Sequence, residues 1–140
     1  MNTKGTINLE YLITIMVLIM ISLTIVALSQ QEFESLDQTQ NRKDARLVSL
    51  ELTRTINNVY AQGNAFSQKY TLPDKINNET YIVKINTTGV YINSHYQITY
   101  NNYMASQVVD QNTNSQTIYL TPGNTYQFTN INNKIEVHQI

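Results

Sequence analysis

The chain has 140 residues, with nine Lys and Arg against ten Asp and Glu and a formal net charge of −1. Charged residues make up only 14%, which excludes binding of nucleic acid or another polyanion by bulk electrostatics. There is no cysteine, which excludes disulfides, thiol catalysis and cysteine-based metal sites, so the fold rests on packing alone.

The first element is residues 6–31, TINLEYLITIMVLIMISLTIVALSQQ. Between Tyr11 and Leu28 only Thr14, Ser22 and Thr24 interrupt the apolar run, and no charge falls between Glu10 and Glu32. A helix of about 18 or more apolar residues, rising about 1.5 Å each, spans or nearly spans a hydrocarbon core. Lys4 is the only charge before Glu10; it marks the N-terminus as cytoplasmic and the remainder as outside. Glu10 stands out, because a carboxylate at the edge of a membrane helix needs compensation. It either sits at headgroup level near the positive end of the helix dipole or pairs with a cation supplied by another chain.

The helical pattern continues outward. Residues 30–62 contain no Gly or Pro, and Ala45, Val48, Leu52, Ile56 and Val59 recur at spacings of three and four. That is one apolar stripe. Phe33, Leu36, Leu47 and Leu50 form a less regular second set. Gly63-Asn64 is a C-cap signal. The reading is one helix from about residue 6 to about residue 62, apolar all round in its first half and amphipathic in its second. Arg42, Lys43, Arg46 and Arg54 alternate with Asp37, Asp44 and Glu51, which reads as a solvated or intersubunit salt-bridged face.

From Lys69 the period changes to two. Tyr81-Ile82-Val83-Lys84-Ile85 is a strand, Thr88-Gly89 a turn, and Val90-Tyr91-Ile92 its returning partner. Tyr96 to Tyr100 is a third strand and Gln107-Val108-Val109 a short one. Thr117 to Leu120, Pro122-Gly123-Asn124 and Tyr126 to Phe128 read as a hairpin with its turn, and Lys134 to His138 as the last strand. Short strands joined by short turns predict an antiparallel sheet, whose covered face falls to the Ala45–Val59 stripe. The fold class is α+β: a long N-terminal helix packed on a small antiparallel β-sheet. Residues 101–116 are the most polar and are expected to form an exposed loop.

Catalytic chemistry has little to build on. Asp74, Glu79, Asp110 and Glu136 are unpaired in sequence, His95 and His138 are isolated, and no phosphate loop or nucleophile elbow occurs. No catalytic residue, cofactor or metal site is expected. Asn78-Glu79-Thr80 and Asn86-Thr87-Thr88 are N-glycosylation sequons. The tyrosines at 81, 91, 96, 100, 103, 119 and 126 are read as alternating between the sheet core and isolated surface positions.

The stretch Lys4-Gly5-Thr6-Ile7-Asn8-Leu9-Glu10-Tyr11-Leu12 resembles the class III signal peptide of archaeal type IV pilins. The resemblance implies a leader of residues 1–5 cut by a prepilin peptidase between Gly5 and Thr6, a filament-core helix over 6–31, an amphipathic half over 32–62 and a β head over 63–140. It also implies an assembly role for Glu10, opposite the α-amino group freed on a neighbouring copy. Thr6 and Asn8 stand where the family usually has Gln and commonly has Ser. An ordinary secretory signal peptide, with Ala27-Leu28-Ser29 as its cleavage site, is opposed by the length of the apolar run and by the acid at Glu10.

The function expected from that resemblance is a structural subunit of an extracellular filament for surface adhesion. Its partners are prepilin peptidase, further copies of itself, the membrane and the pilus assembly machinery. The precursor sits in the cell membrane and the product lies outside the cell. The alternatives are a single-pass, membrane-anchored binding domain and a minor pilin or pseudopilin. Archaellins share the helix-first plan, but their signal region is typically more basic and richer in Gly.

Overall fold

The structure, a computed structural model, describes residues 3–94 and 97–140, with side chains from residue 8 onward apart from residue 37. His95 and Tyr96 therefore lie outside the described residues. The chain divides into two compact units, residues 1–38 and residues 39–140. Helix α1 runs from Thr3 to Ala61, close to the predicted limits.

In the first unit, all side chains from Asn8 to Leu36 are exposed. An 18-residue window of this helix has a mean hydropathy of 2.7 and none of it is buried. Its hydroxyls do not break the apolar surface. Thr14, Ser22, Thr24 and Ser29 each donate to the carbonyl four residues back, at 2.8, 2.9, 2.8 and 3.0 Å. A hydroxyl satisfied by its own helix carries little desolvation cost into hydrocarbon.

In the second unit the predicted stripe is buried: Ala45, Val48, Leu52, Ile56 and Val59 join one apolar core with residues of the strands. Leu52, Ile56 and Val59 are fully enclosed. The second apolar set stays out of it, with Leu47 exposed and Leu50 half-buried.

Eight strands follow among the described residues: β1 (Ser67–Thr71), β2 (Tyr81–Asn86), β3 (Gly89–Ser94), β4 (Gln97–Asn101), β5 (Gln107–Asp110), β6 (Ile118–Leu120), β7 (Thr125–Ile131) and β8 (Lys134–Gln139). They make two four-stranded sheets, ordered β1-β7-β8-β5 and β4-β3-β2-β6, instead of the single sheet expected. Val83, Ile85, Val90, Ile92 and Leu120 from one sheet and Phe128, Ile135 and Val137 from the other fill the same core as the helix stripe.

Three further expectations are corrected. The hairpin joining residues 117–120 to 126–128 does not form: β6 pairs with β2, and β7 pairs with β1 and β8. The reason lies in the connecting turn. Gly123 donates its N–H to Leu72 O at 3.1 Å, and the Thr121 N–H is taken by the Tyr126 hydroxyl at 2.7 Å. The turn thus hands the chain from one sheet to the other. Second, the sheets are not purely antiparallel, because β5 pairs with β8 in parallel, Val108 opposite Ile135. Third, the polar region 101–116 is not simply an exposed loop. Val108 and Val109 are buried, and this two-residue apolar insert anchors the edge of the sheet.

Candidate assembly surface and modification sites

Glu10 lies in α1 within the first unit and is exposed, its carbonyl accepting the Thr14 hydroxyl at 2.8 Å. Gly5 and Thr6 belong to the same helix, but their side-chain surroundings fall outside the described residues. From Tyr11 to Leu28 the helix surface is apolar apart from Thr14, Ser22 and Thr24. Leu12 is 64% exposed, and Met16, Leu18, Ile19, Leu23 and Val26 are similarly open. A shallow apolar groove lines one side, formed by Ile15, Leu18, Ile19, Ser22, Leu23 and Val26. Burying each large aliphatic side chain of such a surface in hydrocarbon or against another helix is favourable by about 1.5–3 kcal/mol. So extensive an apolar surface therefore demands an apolar environment.

The two sequons sit on turns with different geometry. Asn77 and Asn78 have φ of 47° and 63°, and Ile76 and Glu79 exchange backbone hydrogen bonds across them at 3.0 and 2.9 Å. Asn78 is exposed at the tip. Asn86 is half-buried before the β2–β3 turn. Its Oδ1 accepts from Thr88 N–H at 3.0 Å, the Thr88 hydroxyl at 2.7 Å and Gly89 N–H at 3.2 Å. The Nδ2 atom, where a glycan would attach, takes no part in those three bonds. The Tyr103 hydroxyl donates to the Asn86 carbonyl and holds the same turn from the other side.

The tyrosines divide as the alternation requires. Tyr81 and Tyr126 are buried, and Tyr60, Tyr70 and Tyr103 pack against the core. Burial, then Asp74 nearby, pushes the Tyr81 hydroxyl up to about 12. The surface set is less isolated than sequence alone indicates. Register places Tyr119 beside Lys84, Lys84 beside Tyr91 and Tyr91 beside Tyr100. The Tyr91 and Tyr100 rings pack with centroids 4.6 Å apart, tilted by 38°. Ile82, Asn93 and Ile98 form the next row. The row spans all four strands of one sheet and was hidden in the sequence, because only strand pairing brings these residues together.

Asp110 and Glu136 of the second unit are engaged structurally. Asp110 Oδ1 accepts from Asn112 N–H, Thr113 N–H and the Thr113 hydroxyl at 2.9, 2.8 and 3.0 Å. Those bonds, Thr113 N–H foremost, hold its carboxyl below the ordinary 3.8. Glu136 pairs with Lys134 at 3.0 Å, and His138 is exposed. Among the described residues, no group of three or more His, Asp or Glu converges to hold a metal ion.

These features define an α+β protein with, among the described residues, one helix long and apolar enough to cross a membrane. No protein-family model, curated protein or solved structure matches the chain.

Proposed function

We propose that this protein is the structural subunit of an extracellular, type IV pilus-like filament, built through its N-terminal helix after cleavage between Gly5 and Thr6. The observation that carries the reading is the combination on one helix of an unburied apolar run and a single acid, Glu10, at its start. A tether needs the apolar run alone. An assembling helix also needs a register device, and a carboxylate paired with the freed α-amino group of a neighbour supplies one, since an unpaired charge of either sign is penalised in an apolar core. Copies joined by that head-to-tail contact build an open helical polymer. The Tyr- and Asn-bearing sheet surfaces of the 39–140 unit then form the outside and make surface contacts. Glu10→Gln tests the reading: it keeps the apolar helix and removes the charge. Filaments sheared from cells should fall at least tenfold while the precursor remains in the membrane fraction. Undiminished filaments would remove Glu10 from the assembly contact, and no filaments from the wild type would leave only the tether.

A further inference from the structure

The charges of α1 are segregated along the sequence. From Lys4 to Arg42 no basic residue occurs, while residues 32–37 carry Glu32, Glu34 and Asp37. The positions three and four residues beyond each of these acids hold no base, so none has an ion-pair partner on its own helix face. The next stretch is the reverse. Arg42, Lys43 and Arg46 face one acid, Asp44, and that carboxylate already accepts from Gln40 Nε2 at 2.9 Å. Arg42 and Arg46 are like charges four apart, a spacing that is unfavourable unless an anion lies between them.

The structure gives the two arginines a setting. They line a polar cleft of about 570 Å³ beside β4, with Gln97, Thr99 and Asn101 on the opposite wall. Both ends of the cleft are tied: Arg42 Nε donates to Gln97 Oε1 at 2.7 Å, and Asn101 Nδ2 donates to Ser49 Oγ at 2.7 Å. Arg46 stands between these ties, exposed, and has no hydrogen-bond or ion-pair partner among the described residues. Strand β4 is also a sheet edge, with one side of its backbone unpaired within the sheet. The cleft thus carries two guanidiniums, Arg42 tied to Gln97 and Arg46 untied, with no carboxylate partner among the described residues, and the sequence of the same chain carries a run of acids with no base at helix-pair spacing.

We infer that the Arg42–Arg46 cleft receives the acidic stretch 32–37 of a second copy of this chain. The inference rests on the filament reading and adds to it a second, polar contact that fixes the stagger between neighbours. The contact is heterologous, acid of one copy to base of the next, the kind that extends as an open helical polymer when its rotation does not close a ring. Because the bonds are charge-assisted and lie outside the apolar core, they weaken with salt.

The absence of cysteine permits a clean test. A disulfide from Glu34→Cys of one copy to Arg46→Cys of the next links chains one after another, whereas a bond within one chain links none. Filaments of the Glu34→Cys/Arg46→Cys double variant should therefore give a ladder of oxidised oligomers on a denaturing gel, and neither single variant should. In parallel, Arg42→Glu/Arg46→Glu should cut sheared filaments at least tenfold, and adding Glu32→Arg/Glu34→Arg should restore them. Filaments of the double cysteine variant that give no ladder, or normal yield from the arginine reversal, as expected if the cleft served an outside anion, would overturn the inference and leave the filament reading standing. Absence of wild-type protein from the sheared fraction would overturn both.

Discussion

The side-chain amide of Asn130 donates to the carbonyls of Val59 and Tyr60, each at 3.3 Å. Asn130 is fully buried, next to the last residue of β7, and the two carbonyls belong to the last turn of α1. A helix end leaves carbonyls unsatisfied, and here a strand residue satisfies them. The Asn130 Oδ1 also accepts Asn133 N–H at 3.0 Å, so one side chain joins the helix terminus to the β7–β8 turn. Asn130→Ala should cost about 2 kcal/mol, a buried hydrogen-bonding loss. Thermal unfolding of the full chain in detergent measures it; a change below about 0.5 kcal/mol would dismiss the cap.

Thr53 presents the opposite case. It is buried, and its hydroxyl finds no partner among the described residues. An unsatisfied buried polar group costs about 1–3 kcal/mol, and valine keeps the shape without it. Thr53→Val is therefore expected to stabilise the protein by about 1 kcal/mol in the same unfolding assay.

Acid should loosen the β5 end. The folded carboxyl of Asp110 titrates below its ordinary 3.8. Its contribution is present above the unfolded value and is lost as pH falls through the lower folded value. Asp110→Asn removes this titration, so the variant should lose less stability than the wild type between about pH 4 and pH 2. Parallel acid titrations followed by circular dichroism compare them.

Glycosylation, where the cell supplies it, should favour Asn78, which is exposed on its turn, over half-buried Asn86, whose Oδ1 holds three hydrogen bonds. Intact-mass measurement on native protein should show one glycan lost in Thr80→Ala, with stability changed by less than about 0.5 kcal/mol. A wild-type mass equal to that of the bare chain would refute the assignment.

What was legible in the sequence was whatever depends on local periodicity. The helix, its buried stripe from Ala45 to Val59 and the strands β2, β3 and β8 follow from spacing and β-branching. Pairing partners depend on distant contacts, which is why the turn at Pro122-Gly123 reads as a hairpin although Gly123 bonds back to Leu72. The Asn132-Asn133 turn has φ of 52° and 66° and joins β7 to β8 directly. It carries the residue type that tolerates positive φ, but abundant Asn elsewhere masks that signal. The Arg42–Gln97 tie was invisible for the same reason as the tyrosine row: it crosses 55 residues.

The most direct test of the account is the N-terminal residue of the protein recovered from native cells, in membrane and sheared-surface fractions. The account predicts chains beginning at Thr6 in the sheared fraction. Chains beginning near Gln30, or an intact Met1 confined to membranes, would contradict it.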